Sequence, residues 1–213
     1  MRGFGRKGKS DAEDEATDLP RLSWPVQQDG QDLIVSVIPS RVPGDQRMHA
    51  VDVLGEEGDA SPERGTAADL ISSLTRAAAA PGTVAIQGFA LSAPSDRVLT
   101  FTLAVSLADI PYPETGELPD HDVSRCQLPC GPALRIFKWV QADIGSDDSG
   151  QVLPPIPMFG TTYLAQTEYG VLALAFATPH VDGAREFAVL FEAIAQTCTI
   201  QPAPSGSAEV AAT

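Results

Sequence analysis

The chain lacks the features that mark several classes of protein. Its three cysteines are too few for a disulfide scaffold. It contains no uninterrupted apolar run of about 18 residues, so the sequence predicts no transmembrane helix. Only 14 basic residues oppose 28 acidic ones, which leaves a formal charge of −14. A chain this acidic repels phosphate polyanions, and we therefore expect no nucleic acid among its partners.

Leader and catalytic patterns are missing as well. The first residues, MRGFGRKGKS, are basic, but an acidic stretch follows where a signal peptide would have its apolar segment. Together with the odd number of cysteines, this favours a reducing compartment, and we predict a cytoplasmic location. No G-x-S-x-G sequence accompanies the three histidines. We predict that the protein is not an enzyme, with no catalytic, cofactor-binding or metal-binding residues.

The segment from Met158 to Ile200 carries the clearest structural pattern. It predicts two antiparallel strands, Thr161 to Thr167 and Val171 to Ala177, joined by a turn in which Gly170 supplies a positive φ. A helix is expected to begin near Asp182, whose carboxylate would cap it. Its apolar positions recur at helical spacing: Phe187, Leu190, Phe191 and Ile194. We expect this helix to lie on a sheet.

The upstream chain predicts further strands and one more helix. Leu33 to Ile38 is expected to form a hairpin with Met48 to Leu54. A capped helix is predicted from Thr66 to Ala80. Arg97 to Leu107 alternates apolar and small or polar residues, which is typical of a long, half-exposed antiparallel strand. Other predicted strands are Leu22 to Val26, Val84 to Leu91, Val123 to Leu128 and Ala133 to Gln141.

This order of elements indicates an α+β fold and not alternating βαβ units. We predict a curved antiparallel β-sheet covered by two main helices. A single domain is expected over residues 21–202. The polar, charged residues 1–20 and the small, polar residues 203–213 are predicted to be disordered tails, because they bury too little apolar surface to offset their ordering entropy.

Residues 127–200 resemble a known family. The resembling stretches are LPCGPALRIFKWV, TTYLAQTEYGVLALAFATP and AREFAVLFEAIAQTCTI. They are similar to the end of the PsbP-like fold, as found in LpqN-like proteins of actinobacteria, in which a Leu-Pro-x-Gly turn precedes a strand and a hairpin ending in Thr-Pro leads into a helix. The resemblance implies a PsbP-like α+β sandwich. It carries almost no information about activity, because function depends on the site and not on the fold.

The cysteines form the main chemical candidate. Cys126 and Cys130 have a three-residue spacer, which is neither the thioredoxin spacing nor half of a paired zinc motif. His121 and Cys198 are further candidate ligands, since the last strand is expected near the strand that follows Cys130. Two interpretations remain: buried structural thiols, or a thiol-based redox or metal-binding site using Cys126, Cys130 and Cys198.

Aromatic residues and loops form the second candidate. The strand Ala133 to Gln141 is predicted to turn Leu134, Ile136 and Val140 inward and Arg135, Phe137 and Trp139 to the reverse face. That face is either covered by a helix, which we expect, or exposed as an apolar patch. We identify Tyr112, Trp139 and His180 as candidate interaction residues, His180 at a capping or loop position. The loops Asp109 to Asp122 and Asp143 to Pro157 are expected to contribute.

The leading hypothesis is a non-catalytic accessory or protein-binding module that uses these loops and one sheet edge. Its partner is expected to be a protein of unknown identity. The first alternative is the thiol-based redox or metal-binding function. The second alternative, a secretion-associated factor, is implied only by the LpqN-like resemblance.

Overall fold

A computed structural model describes residues 21–38, 47–51, 83–92, 98–113, 122–142, 151–152 and 154–204. These residues form ten β-strands and one α-helix. The first five strands are β1 (Leu22–Gln28), β2 (Gln31–Val37), β3 (Arg47–Val51), β4 (Thr83–Ser92) and β5 (Val98–Ala108). The next four are β6 (Asp122–Leu128), β7 (Gly131–Ala142), β8 (Ile156–Thr167) and β9 (Gly170–Thr178). A 3₁₀ turn, Val181–Gly183, leads into helix α1 (Ala184–Ala195), and β10 (Thr199–Pro202) follows.

The strands form two antiparallel sheets. The large sheet has seven strands in the order β3-β4-β5-β9-β8-β7-β6. The small sheet has three, in the order β1-β2-β10. The last strand therefore pairs with the second, with Ile200 opposite Val35. Because β10 follows α1 directly, this pairing brings the end of the helix back to the start of the domain.

The core lies between one face of the large sheet and a layer made by α1 and the small sheet. Phe191 of α1 packs 4.8 Å from Phe176 of β9 and 5.3 Å from Phe101 of β5, measured between ring centroids. Val35 and Leu33 of β2 belong to the same buried cluster. A fully buried Phe, Val or Leu side chain contributes roughly 1.5–3 kcal/mol to stability, so this layer holds the two sheets together.

The reverse face of the large sheet is also partly buried. Leu134 and Ile136 of β7 and Met158 of β8 are buried on this face, outside the cluster beneath α1. Thr100, Thr102 and Ala104 of β5 are buried there as well. Within the described parts of the chain, α1 lies on the opposite side.

The predicted sheet covered by two main helices is wrong for the described residues. They are mostly strand, in two antiparallel sheets, with α1 as their α-helix. The small sheet lies beside α1 and packs against the same buried cluster. The physical reason is that β2 obtains a partner on each edge, β1 and β10, and can then bury its apolar face as part of a sheet.

The pairing predicted for the second strand is wrong. Residues 47–51 do not return beside β2; they form β3 and pair with β4 in the large sheet, with Ala50 opposite Phe89. The turn residues between the two segments favour a hairpin locally, but non-local pairing decides which edge a strand joins.

Three details of exposure and capping also differ from expectation. Strand β5 is buried on both faces along most of its length and is not half-exposed, since Thr100, Thr102 and Ala104 on the reverse face are buried as well. Val140 is exposed, and Leu134 and Ile136 are buried on the face away from α1, although all three were predicted to point into the core. Asp182 does not cap the helix: Gly183 occupies the N-cap position, without a side-chain hydrogen bond.

Several predictions concern residues outside the described ranges. They are the helix from Thr66 to Ala80, His121, the tail 1–20 and residues 205–213 of the second tail. The loops Asp109 to Asp122 and Asp143 to Pro157 are described only at residues 109–113 and 122, and at 151–152 and 154–157.

Candidate functional site

Cys130 and Cys198 are neighbours: Cys130 and Thr199, the residue after Cys198, line the same groove, and Cys130 packs against the apolar cluster that contains Cys198. Cys130 lies in the turn between β6 and β7, and Cys198 lies in the connection between α1 and β10. The side-chain amide of Gln196 donates a 2.9 Å hydrogen bond to the carbonyl of Gln127, which fastens the end of α1 to the end of β6. This hydrogen bond holds the segment of Cys198 next to the segment of Cys130.

The two thiols have different surroundings. Cys198 is completely buried (0% exposed) in the main apolar cluster. Cys130 is partly exposed and lines an open groove with Pro129, Gln166 and Thr199. The hydrogen bond from Cys198 lowers the pKa of Cys130, against the effect of burial, and the bond to Cys130 together with burial raises the pKa of Cys198. Negative charge is thus favoured on the sulfur that faces the groove.

Cys126 is close to this pair but has another environment. Burial, then the nearby carboxylate of Glu192, raise its pKa, while the Arg135 guanidinium opposes them. Its thiol is therefore the poorer nucleophile at neutral pH. The structure thus gathers all three cysteines in one region, with Cys130 packed against the cluster that contains Cys198.

Metal ligands are not gathered in the described part of the chain. No group of three or more His, Cys, Asp or Glu side chains that could hold a metal ion occurs among these residues. His121, the fourth ligand considered from the sequence, lies outside them.

A polar group lies between α1 and the sheet, next to Cys126. Arg135 of β7 forms an ion pair with Glu192 of α1, and its guanidinium carbon lies 4.9 Å from the ring centroid of Phe137. Tyr163 lies opposite Arg135 on β8, and its hydroxyl is buried without a hydrogen-bond partner among the described protein groups. Burial, followed by Glu192, raises the pKa of Tyr163. The sequence signal for this group is the opposite charge of Arg135 and Glu192 on two predicted elements, and it does not by itself indicate that they pair.

The far end of β7 forms an exposed aromatic corner. Trp139 is 65% exposed and lies 5.2 Å from the ring of Phe159, which is only 5% exposed. Strand β6 stops pairing where Asp122 faces Phe137, so residues 138–142 of β7 pair with β8 alone among the described strands. Arg135 pairs with Glu192 of α1 and Phe137 packs against the core, whereas Trp139 is exposed and is not covered as expected.

The three candidate interaction residues do not form one surface. His180 follows Thr178, which faces Phe159 across the β8–β9 pairing, so His180 lies at the same end of the large sheet as Trp139. There, Nε2 of His180 accepts a 2.9 Å hydrogen bond from the backbone N–H of Thr100. Tyr112 follows β5 at the opposite end, where burial and then the nearby Cys126 raise its pKa.

Comparison of the chain with protein-family models, with curated proteins and with solved structures found no match. The resemblance to the PsbP-like and LpqN-like proteins therefore stays a prediction. None of the described helices has the length and apolar character that crossing a membrane requires.

Proposed function

We propose that the protein is a non-catalytic cytoplasmic accessory module that binds an extended segment of a partner protein along the open end of β7. The observation that carries this proposal is Trp139, a large apolar side chain that is 65% exposed on a strand whose neighbouring edge is unpaired among the described strands. Tryptophan is one of the residues that most often dominate the binding energy of protein interfaces.

The aromatic corner offers a rigid platform for such a contact. Trp139 lies against Phe159, and the Phe159 ring is stacked 6.4 Å from Phe191 of the core and 6.1 Å from Phe137. An interface side chain that is held in place before binding loses less conformational entropy when the partner arrives. The packing beneath Trp139 therefore supports affinity, although Trp139 itself faces solvent.

The backbone beside Trp139 offers a second element of recognition. A peptide that adds to a sheet edge gains affinity from backbone hydrogen bonds and specificity from alternate side chains. Among the described strands, residues 138–142 present such an edge on the side away from β8. Both predicted binding loops join the sheet here, since one leads into β6 at Asp122 and the other leaves β7 at Ala142.

The charge of the chain selects the class of partner. At a formal charge of −14, two copies of this protein repel each other, whereas an extended segment with basic and apolar residues is attracted. We therefore assign the edge to a basic, apolar segment of another protein and not to a second copy.

The experiment is a selection of short random peptides on the purified protein in reducing buffer. The Trp24→Phe variant is used for titration, because Trp139 is then the only tryptophan. We expect enriched peptides to alternate apolar and basic residues, to change the Trp139 fluorescence, and to slow amide exchange at residues 138–142. Trp139→Ala should weaken binding about tenfold or more, as expected for an interface hot spot.

The matched control is Val189→Ala. Val189 is another exposed apolar side chain (63%), but it lies on the outer surface of α1. The Val189→Ala variant should bind the peptides with unchanged affinity. A selection without enriched peptides, or peptides that bind Trp139→Ala equally well, would contradict the proposal. A dimer in sedimentation that Trp139→Ala dissociates would assign the edge to a second copy instead.

A thiol-based function is the second candidate, and the hydrogen bond between Cys130 and Cys198 favours it. Alkylation rates separate the two functions: ordinary structural thiols react slowly at neutral pH, whereas a functional Cys130 reacts fast. The proposed role in secretion has no support beyond the LpqN-like resemblance.

A further inference from the structure

Cys130 and Cys198 combine close contact with unequal access to solvent. Cys130 lines the groove beside Thr199, the residue after Cys198, and packs against the apolar core in which Cys198 itself is buried. A small oxidant entering from solvent therefore meets Cys130 first. Any reactive group that forms there has the Cys198 thiol as its neighbour.

The backbone on both sides of the pair is firmly held. The backbone N–H of Cys198 donates a 3.0 Å hydrogen bond to the carbonyl of Ala195, and the hydroxyl of Thr197 donates to the carbonyls of Ile194 and Ile38. On the other side, Gly131 brings the Cys130 turn so close to β8 that a Cβ at this glycine would lie 2.1 Å from the carbonyl oxygen of Gln166. Together with the hydrogen bond from Gln196 to Gln127, these contacts hold in place the two segments that carry the thiols.

We propose that Cys130 and Cys198 are a redox-sensitive dithiol, in which a hydroperoxide oxidises Cys130 from the groove and Cys198 closes the disulfide from the core. This site is separate from the open end of β7, and the proposal does not depend on the binding function. The hydrogen bond that favours the thiolate of Cys130 supports the order of the two steps, because the thiolate is the nucleophile.

The chemistry balances without a cofactor. The Cys130 thiolate attacks one oxygen of the hydroperoxide, the O–O bond breaks, and the alcohol or water leaves, so that Cys130 becomes a sulfenic acid. The sulfur of Cys198 then displaces the sulfenic hydroxyl, which leaves as water with the proton of the Cys198 thiol. The two thiols lose two hydrogens, and the hydroperoxide is reduced. The new bond ties the β6–β7 turn to the connection that leads into β10.

The test uses hydrogen peroxide on the natural chain. After oxidation, free thiols are blocked with iodoacetamide and the protein is cleaved with trypsin. Cleavage after Arg125, Arg135 and Arg185 places Cys126 and Cys130 on peptide 126–135 and Cys198 on peptide 186–213. We expect these two peptides to be joined and to return to separate peptides on reduction, with one blocked thiol remaining on peptide 126–135.

Cysteine variants identify which sulfur atom is oxidised first and which two form the disulfide. Cys126→Ser is the matched control, and it should form the same cross-link at the natural rate. Cys198→Ser should stop at a sulfenic acid on Cys130, which dimedone traps. Cys130→Ser should form no cross-link to peptide 186–213 under the same conditions.

Three results would overturn the proposal: a cross-link confined to peptide 126–135, loss of the cross-link in Cys126→Ser, or three intact thiols after peroxide has oxidised an exposed control thiol. The first and third are read on the natural chain, and the second on a variant of a partly exposed residue. A failure of Cys198→Ser to fold therefore does not prevent a decision.

Discussion

The backbone N–H of Thr100 donates a hydrogen bond of 2.9 Å to Nε2 of His180. This contact joins the beginning of β5 to the connection between β9 and α1. The His180 ring also lies parallel to the Phe187 ring of α1, with 6.0 Å between their centroids. Because Nε2 accepts a hydrogen bond, the imidazole is neutral in this arrangement and its proton is on Nδ1. His180 therefore stabilises the end of the large sheet at which Trp139 lies.

His180→Ala should lower the free energy of unfolding by about 1–3 kcal/mol, because the N–H of Thr100, a buried residue, loses its acceptor. Urea denaturation at pH 8 measures the change. Asp182→Ala is the control, since Asp182 is exposed and makes no capping bond. Equal midpoints for the two variants would show that the hydrogen bond contributes nothing measurable.

Glu192→Gln should make Cys126 react faster with iodoacetamide. After burial, the Glu192 carboxylate is the largest influence that raises the pKa of Cys126, so its removal lowers that pKa and moves the curve of rate against pH to lower pH. Stability should fall by less than about 1 kcal/mol, since the ion pair with Arg135 is partly exposed.

The control for this experiment is Glu186→Gln, a carboxylate in the first turn of the same helix that does not affect Cys126. Its rate curve should match that of the natural chain. An unchanged curve for Glu192→Gln would mean that Glu192 does not affect the Cys126 thiol in solution.

Gly131→Ala should destabilise the protein far more than Gly30→Ala. Both glycines have positive φ, but a Cβ at Gly131 would lie 2.1 Å from the carbonyl oxygen of Gln166, whereas a Cβ at Gly30 meets nothing within 4 Å. We expect a loss of at least about 3 kcal/mol for Gly131→Ala and about 1 kcal/mol for Gly30→Ala, which carries only the backbone strain. Thermal unfolding of the two variants compares these losses, and similar melting temperatures would contradict the close approach of the β6–β7 turn to β8.

Tyr163→Phe should leave stability unchanged or raise it by up to about 1 kcal/mol, because the buried hydroxyl has no partner among the described protein groups. Tyr163→Leu is the comparison: it also removes the edge-to-face contact with Phe176, whose ring centroid is 6.1 Å away, and should cost about 1–3 kcal/mol. Chemical denaturation measures both. A large loss for Tyr163→Phe would show that the hydroxyl makes a stabilising hydrogen bond.

Local patterns in the sequence predict the C-terminal half of the described fold well. The turn at Gly170, the strands on either side of it and the apolar face of α1 all depend on neighbours within a few residues. The sequence also predicted that the last strand lies near the strand after Cys130, and Cys130 lines one groove with Thr199 and Ile200 of β10. The hydrogen bond from Gln196 to Gln127, which joins the end of α1 to the end of β6 beside this groove, was not predicted.

Non-local pairing was beyond the reach of such patterns. Nothing near residues 47–51 indicates that they join β4, and nothing in Thr199–Pro202 indicates that this short strand completes a sheet with β2. The exposure of Trp139 could not be decided from the sequence pattern either, because it depends on where β6 ends and how far α1 extends. In each case tertiary contacts override the preference that the alternation of residues along a strand indicates.

The pairing of β2 with β10 has a consequence for biosynthesis. A ribosome makes the chain from its amino end, so β2 is complete long before its second partner is translated. During that interval, Leu33 and Val35 lack the neighbours that later bury them, and the free edge of β2 can capture another nascent chain. Translation speed and chaperone supply should therefore affect the yield of native protein more than they would if β2 were paired on both sides by strands made earlier.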